Sequence, residues 1–243
     1  MNFSCANPDC NAEWQHTQHH LYGGGKSISF SATVKLPTSR TAPYPAVIGY
    51  VGGSIPISTN VVLITYNNQD IAVDNPHGQG RFYGLYGLAN DAGGLIAWAW
   101  GASRIIDALE LVGSAASKID VGRIGVTGCS RNGKGALIAE AFNERMKFAI
   151  AQEGGSGGPD IVKEDGWFRP SFAQLTGEVD LLPYDHNMLE ALVAPRGLLI
   201  IENSGIDYLG PQPELMAFTN KFLLGQNDVA TDVFKTDEKF NFT

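Results

Sequence analysis

The sequence predicts an α/β fold, a doubly wound and mostly parallel sheet with helices on both faces. Three observations point there. Short apolar runs bounded by turn residues recur at residues 46–50, 61–65, 123–127, 148–151 and 198–202, as strands buried on both faces do. Among and after them lie stretches at 92–112, 134–145 and 214–224 whose apolar residues recur three and four apart, the period of packed helices. The chain has 243 residues, 44% hydrophobic and 17% charged, a balance that supplies a core and excludes intrinsic disorder.

Taken in order, residues 1–25 are polar and rich in histidine and read as a variable N-terminal loop segment. Residues 26–243 read as one domain, because glycine and proline are scattered in turn positions and no internal repeat is present. After Gly23-Gly24-Gly25, the residues Ile28, Phe30, Ala32, Val34 and Leu36 alternate with polar ones, the mark of a half-exposed strand. A turn at Ala42-Pro43-Tyr44-Pro45 leads into two buried strands, bounded by Gly52-Gly53 and by Asn67-Asn68. In the long helix that follows, Leu95, Trp98, Ala102, Ile105, Ile106 and Leu109 share one face. Strand and helix then alternate to residue 224, which makes the sheet parallel. In such sheets chemistry sits at the carboxyl ends of strands, here residues 128–134 and 152–158.

A net charge of −8 and a pI near 5.0 argue against nucleic acid or an anionic membrane as partner. The longest apolar runs are far shorter than the ~20 residues of a membrane span. The start, Met1-Asn2-Phe3-Ser4-Cys5, has neither the basic residues nor the apolar run of a secretory signal. Three cysteines, Cys5, Cys10 and Cys129, are too few for a disulfide scaffold. His16, His19 and His20 follow two of them, but the spacing matches no zinc motif.

The segment Gly128-Cys129-Ser130-Arg131-Asn132-Gly133-Lys134-Gly135 is a strand end, a glycine-rich turn and a helix start, a shape used by two chemistries. One is a P-loop, since Gly128, Gly133 and Lys134 have its spacing; position 135, however, is Gly where a hydroxyl is needed for Mg²⁺. The other is a nucleophile elbow, with Ser130 projected above the sheet and the helix N-terminus facing a developing oxyanion. The usual Gly-x-Ser-x-Gly is here one residue longer on its far side. A third reading leaves Ser130 as a helix cap. Glu153 follows the strand at 148–151 and enters a glycine-rich loop, where a carboxylate is placed to orient an imidazole or to be a solvated loop residue.

These residues resemble the fungal glucuronoyl esterases, carbohydrate esterases that cleave the ester between lignin alcohols and the 4-O-methyl-glucuronic acid of xylan. The similarity covers most of residues 26–226. It includes Gly52-Gly53-Ser54-Ile55-Pro56, Phe82-Tyr83-Gly84-Leu85-Tyr86-Gly87, Glu164-Asp165-Gly166-Trp167-Phe168 and Asp207-Tyr208-Leu209-Gly210-Pro211-Gln212. The resemblance implies an α/β-hydrolase-like fold and a serine carboxylic-ester hydrolase. It implies Ser130 as nucleophile, Glu153 as triad acid and Arg131 as oxyanion stabiliser. Lys134 and Glu164 match sugar-binding positions, and Tyr208 falls where the family has a substrate-contacting Trp. The implied partner is a glucuronoxylan–lignin ester, the implied location is extracellular, and ester hydrolysis of this kind calls for no cofactor.

The family's triad histidine lies in a C-terminal segment that has no counterpart here. The five histidines are His16, His19, His20, His77 and His186, and His186 matches a family histidine that is not the base. The region between Gly158 and Ile161 is also shortened, and Cys129 lacks the cysteine that the resemblance would pair with it. The alternative expectation is therefore an impaired or inactive esterase homologue that retains at most carbohydrate binding.

Overall fold

The computed structural model describes residues 18–19, 26–37, 41–154, 166–175, 177–202 and 212–226. Its centre is a six-stranded sheet built from β3 (Ala32–Lys35), β4 (Tyr44–Tyr50), β5 (Val62–Tyr66), β6 (Ile119–Cys129), β7 (Met146–Gln152) and β8 (Gly197–Ile201), in the order β3-β5-β4-β6-β7-β8. All pairings are parallel except β3 with β5. The sequence expectation of a mostly parallel sheet is met. The half-exposed strand predicted over 27–36 is two pieces: β2 (Ser27–Ile28) pairs with β1 (Gln18–His19), and β3 joins the main sheet. β3 keeps its alternation, with Ala32 and Val34 buried and Thr33 and Lys35 exposed.

Helices cover both faces. On one side α3 (Gly94–Val112) and α5 (Arg131–Ala141) pack against each other and the sheet, with the short α1 (Asn68–Ile71) beside them. Trp98, Ala102, Ile105, Ile106 and Leu109 of α3 are buried against Ile48, Ile64 and Ile124, so the three-and-four spacing buries its stripe as the sequence indicates. On the other side α7 (Gln212–Leu224) lays Leu215 and Phe218 against Val47, Phe148 and Ile150. Further short helices, α2 (Arg81–Tyr86), α4 (Ser114–Ser117) and α6 (His186–Ala191), were not legible as periodic stretches. At four to six residues, they are too short to display a period.

Two boundaries moved for reasons visible in the packing. The strand predicted at 123–127 runs from Ile119 to Cys129; glycines at 122, 125 and 128 interrupt its apolar pattern, and its pairing with β4 skips from Ile119 to Ile124. The helix predicted over 134–145 starts at Arg131 and ends at Ala141. Its first turn holds Gly133, poor in helix propensity, yet that turn is fixed by close approach to β7.

Candidate active site

The site grows out of the carboxyl ends of the three adjacent strands β6, β7 and β8. β6 ends at Cys129, and Ser130 turns the chain into α5 with φ 57° and ψ −130°, a region that disfavours any residue with a Cβ. Hydrogen bonds hold it there: the Ser130 amide donates to the Gln152 carbonyl at 2.9 Å, and the Ser130 carbonyl accepts from the Gly133 and Lys134 amides at 2.8 and 3.1 Å. Two glycines make the turn possible. A Cβ on Gly128 would collide with the Asn132 carbonyl, and one on Gly133 with the Gln152 carbonyl. The extra residue of the elbow is Asn132, whose side-chain oxygen accepts from the fully buried Asn68 amide at 3.0 Å.

This wiring bears on the P-loop reading. A phosphate cradle needs backbone amides pointing into the loop, whereas those of Ser130, Gly133 and Lys134 are taken by protein carbonyls. Gly135 is a packing position, since a Cβ there would stand 2.7 Å from the Tyr50 ring. The Lys134 ammonium donates to the Gly154 carbonyl and lies 5.7 Å from the centre of the Trp167 ring.

Glu153 stands one strand over, at the end of β7. It too has positive φ, 50°, and its amide donates to the Ile201 carbonyl of β8 at 2.7 Å. At the end of β8 sits Glu202, a residue that sequence reasoning passed over although the strand-end rule applies to it equally. Both carboxylates act on the half-buried Cys129, whose thiol is pushed up from its ordinary range first by burial, then by the Glu153 charge and more weakly by Glu202. Cys129 is unpaired.

Arg131, the first residue of α5, makes an ion pair from Nε to Asp74 Oδ2 at 2.8 Å. The other Asp74 oxygen accepts from the Trp167 indole at 3.1 Å. Asp74 is a second residue with no sequence signal, since it comes from a loop 57 positions away that no motif marks. The structure thus brings together Ser130, Arg131, Lys134 and Glu153. Glu164 and Tyr208 lie outside the described residues, as do Cys5, Cys10, His16 and His20.

His77 and His186 each make a hydrogen bond to a partner outside this group. His77 Nε2 lies 2.9 Å from the Ala92 carbonyl oxygen, with its ring edge-on to Tyr83. His19 is in β1. His186 opens α6, its amide donating to the Asp185 side chain at 2.6 Å. It lines a cavity of about 1290 Å³ with Lys134, Trp167, Phe168 and Ile138, and neither Ser130 nor Glu153 borders that cavity.

Comparison with known proteins supplies the context. The family pattern described as "Glucuronyl esterase, fungi" matches residues 20–161 and 159–221, in two stretches that meet where the sequence reads as shortened. A 4-O-methyl-glucuronoyl methylesterase of Hypocrea jecorina is 42% identical over 280 residues, covering 89% of this chain and 60% of its own. One from Thermothelomyces thermophilus is 46% identical over 211 residues, covering 77% and 53%. The chain therefore spans between half and three fifths of the length of these relatives. Among solved structures, the Hypocrea jecorina glucuronoyl esterase catalytic domain superposes with TM-score 0.83 at 37% identity, over 97% of this chain and 83% of that one. A serine-to-alanine mutant from Sporotrichum thermophile, in complex with methyl 4-O-methyl-β-D-glucopyranuronate, superposes with TM-score 0.78 at 36% identity, over 86% and 74%. With the family pattern spread over most of the sequence and the elbow in place, this chain belongs to the fungal glucuronyl esterases and has their α/β-hydrolase fold.

Proposed function

We propose that this chain is a serine carboxylic-ester hydrolase of glucuronate esters, acting through an acyl-enzyme on Ser130. The observation that carries the reading is the strained Ser130 turn between β6 and α5 with Glu153 one strand over, in a member of a family whose relatives are glucuronoyl methylesterases. Ser130 Oγ attacks the uronate carbonyl, the alcohol leaves, and water releases glucuronate. Negative charge on the carbonyl oxygen develops only in the transition state, so a cation aimed there lowers the barrier rather than tightening substrate. Arg131 is that cation, helped by the N-terminus of α5. Glu153 is the triad acid by its family position, while Lys134, Glu164 and Tyr208 contact the sugar. The natural ester is the one between 4-O-methyl-glucuronic acid of xylan and a lignin alcohol, met outside the cell.

A second reading is favoured by one observation: the His77 ring is bonded to the Ala92 carbonyl, and His186 lines a cavity that Ser130 does not border. Without a base the hydroxyl stays weakly nucleophilic, and loss of a triad member leaves a residual ~10³–10⁴-fold over water. Hydrolysis of benzyl glucuronate by the purified chain beside its Ser130→Ala variant decides between the two. Turnover abolished by the substitution supports the esterase; equal, negligible rates from two folded proteins support a binding scaffold.

A further inference from the structure

We propose that Asp74 is a positioning residue for Arg131, one that links the oxyanion arginine to the sugar side of the site; this rests on the esterase reading above. A guanidinium has five donors in one plane. Arg131 uses its Nε–H on Asp74 Oδ2 at 2.8 Å, which fixes that plane and leaves both Nη groups for another acceptor. Arg131 is otherwise substantially exposed, and a free arginine side chain would have to be ordered anew at each turnover.

Asp74 is itself held. Its amide donates to the Gln69 side chain of α1 at 2.9 Å, and its Oδ1 takes the Trp167 indole at 3.1 Å. Trp167 is anchored through its carbonyl, which accepts from the Leu95 amide at the start of α3 at 3.2 Å. The Lys134 ammonium sits 5.7 Å from the same indole ring, within cation–π reach. Contacts therefore run from Lys134 through Trp167 and Asp74 to Arg131, joining two residues of one helical turn by a path outside the helix. A group that displaces Lys134 or Trp167 on the sugar side acts on Asp74, and through it on the arginine plane.

Charge and position predict opposite signs. If Asp74 merely neutralised Arg131, removing it would strengthen the pull on an oxyanion. If it positions Arg131, removing it weakens that pull. The test uses the intact chain with Asp74→Ala, Arg131→Ala and the double variant, in two assays. In hydrolysis of benzyl glucuronate, Asp74→Ala is expected to lower kcat roughly tenfold with KM within about twofold, and to add nothing in the Arg131→Ala background. In calorimetric binding of free D-glucuronate, whose carboxylate bears the charge the ester lacks, Asp74→Ala is expected to weaken affinity several-fold, again only when Arg131 is present. Unchanged or improved values, or equal losses with and without Arg131, overturn the proposal. Should the wild type bind glucuronate with this coupling yet hydrolyse nothing, the esterase reading falls and the positioning role stands. Should it bind no glucuronate and turn nothing over, both fall.

Discussion

Among the described residues four non-glycine positions have positive φ, and three of them, Val51, Ser130 and Glu153, directly follow the parallel strands β4, β6 and β7. Strain is thus gathered at the carboxyl edge of the sheet, where open α/β folds place ligands. Each such residue costs of order 1–3 kcal/mol, held by bonds such as Ser130 amide to Gln152 and Glu153 amide to Ile201. At Ser130 the strain has a separable consequence. Ser130→Ala and Ser130→Gly both remove the nucleophile, but only glycine relaxes the backbone at φ 57°. Ser130→Gly is expected to melt above Ser130→Ala, by about 1 kcal/mol of stability. Paired thermal melts check this; equal melting points would mean that the turn stores no strain. A comparable argument holds for Gly128, where any side chain meets the Asn132 carbonyl. Gly128→Ala is expected to lose the elbow and at least 1–3 kcal/mol, read as a drop in midpoint in urea.

At the scale of elements, α5 is tied to the residue just before β8 by a pair whose acid is fully buried. Glu140, fully buried near the end of α5, has neither carboxylate oxygen in a well-formed hydrogen bond; the Arg196 guanidinium is 3.7 Å away, and the Ala149 backbone also favours the ionised form. That guanidinium is spent on the carbonyls of Glu140, Asn143 and Met146, closing the end of the helix. Burial pushes the Glu140 carboxyl up from an ordinary 4.5 to about 8, with Arg196 opposing. The folded state therefore keeps a proton that the unfolded chain releases, so the Glu140 contribution to stability falls as pH rises from about 4.5 to about 8 and is flat beyond. Glu140→Gln imitates the protonated acid. It is expected to change stability little near pH 5 and to raise it by at least about 1 kcal/mol at pH 9, measured by denaturant midpoints at both values. A gain at pH 5 equal to that at pH 9 would sink the assignment. Arg196 also shows what sequence reading cannot reach. The periods of α3 and α7 and the runs of β4 and β7 are local and were legible, as was the Gly-Cys-Ser turn. The ends of α5 are not, since Gly133 is fixed by β7 and the last turn by Arg196. Asp74 and Glu202 reach the site only through tertiary proximity. Glu164 and Tyr208 rest on resemblance alone.

At the scale of the molecule, the two edges of the sheet are built differently. β3 alternates buried and exposed residues and ends in Lys35, the way an edge strand discourages further pairing. β8 is Gly197-Leu198-Leu199-Ile200-Ile201, the composition of an interior strand. Among the described residues it pairs only with β7, so its outer edge has no partner there. Ile200 is 41% exposed on it. A short apolar strand without charge or proline is the kind of segment that templates intermolecular pairing, and the net charge of −8 opposes association without guarding this one edge. A charge placed on the strand should act where net charge does not. Ile200→Lys is expected to lower light scattering during heating severalfold while moving the melting temperature by no more than a few degrees. Leu111→Lys, which removes an apolar side chain 76% exposed on α3, serves as the control. Equal protection by both substitutions would assign the effect to the loss of any exposed apolar side chain, whereas protection by Ile200→Lys alone locates the weakness of this fold at β8.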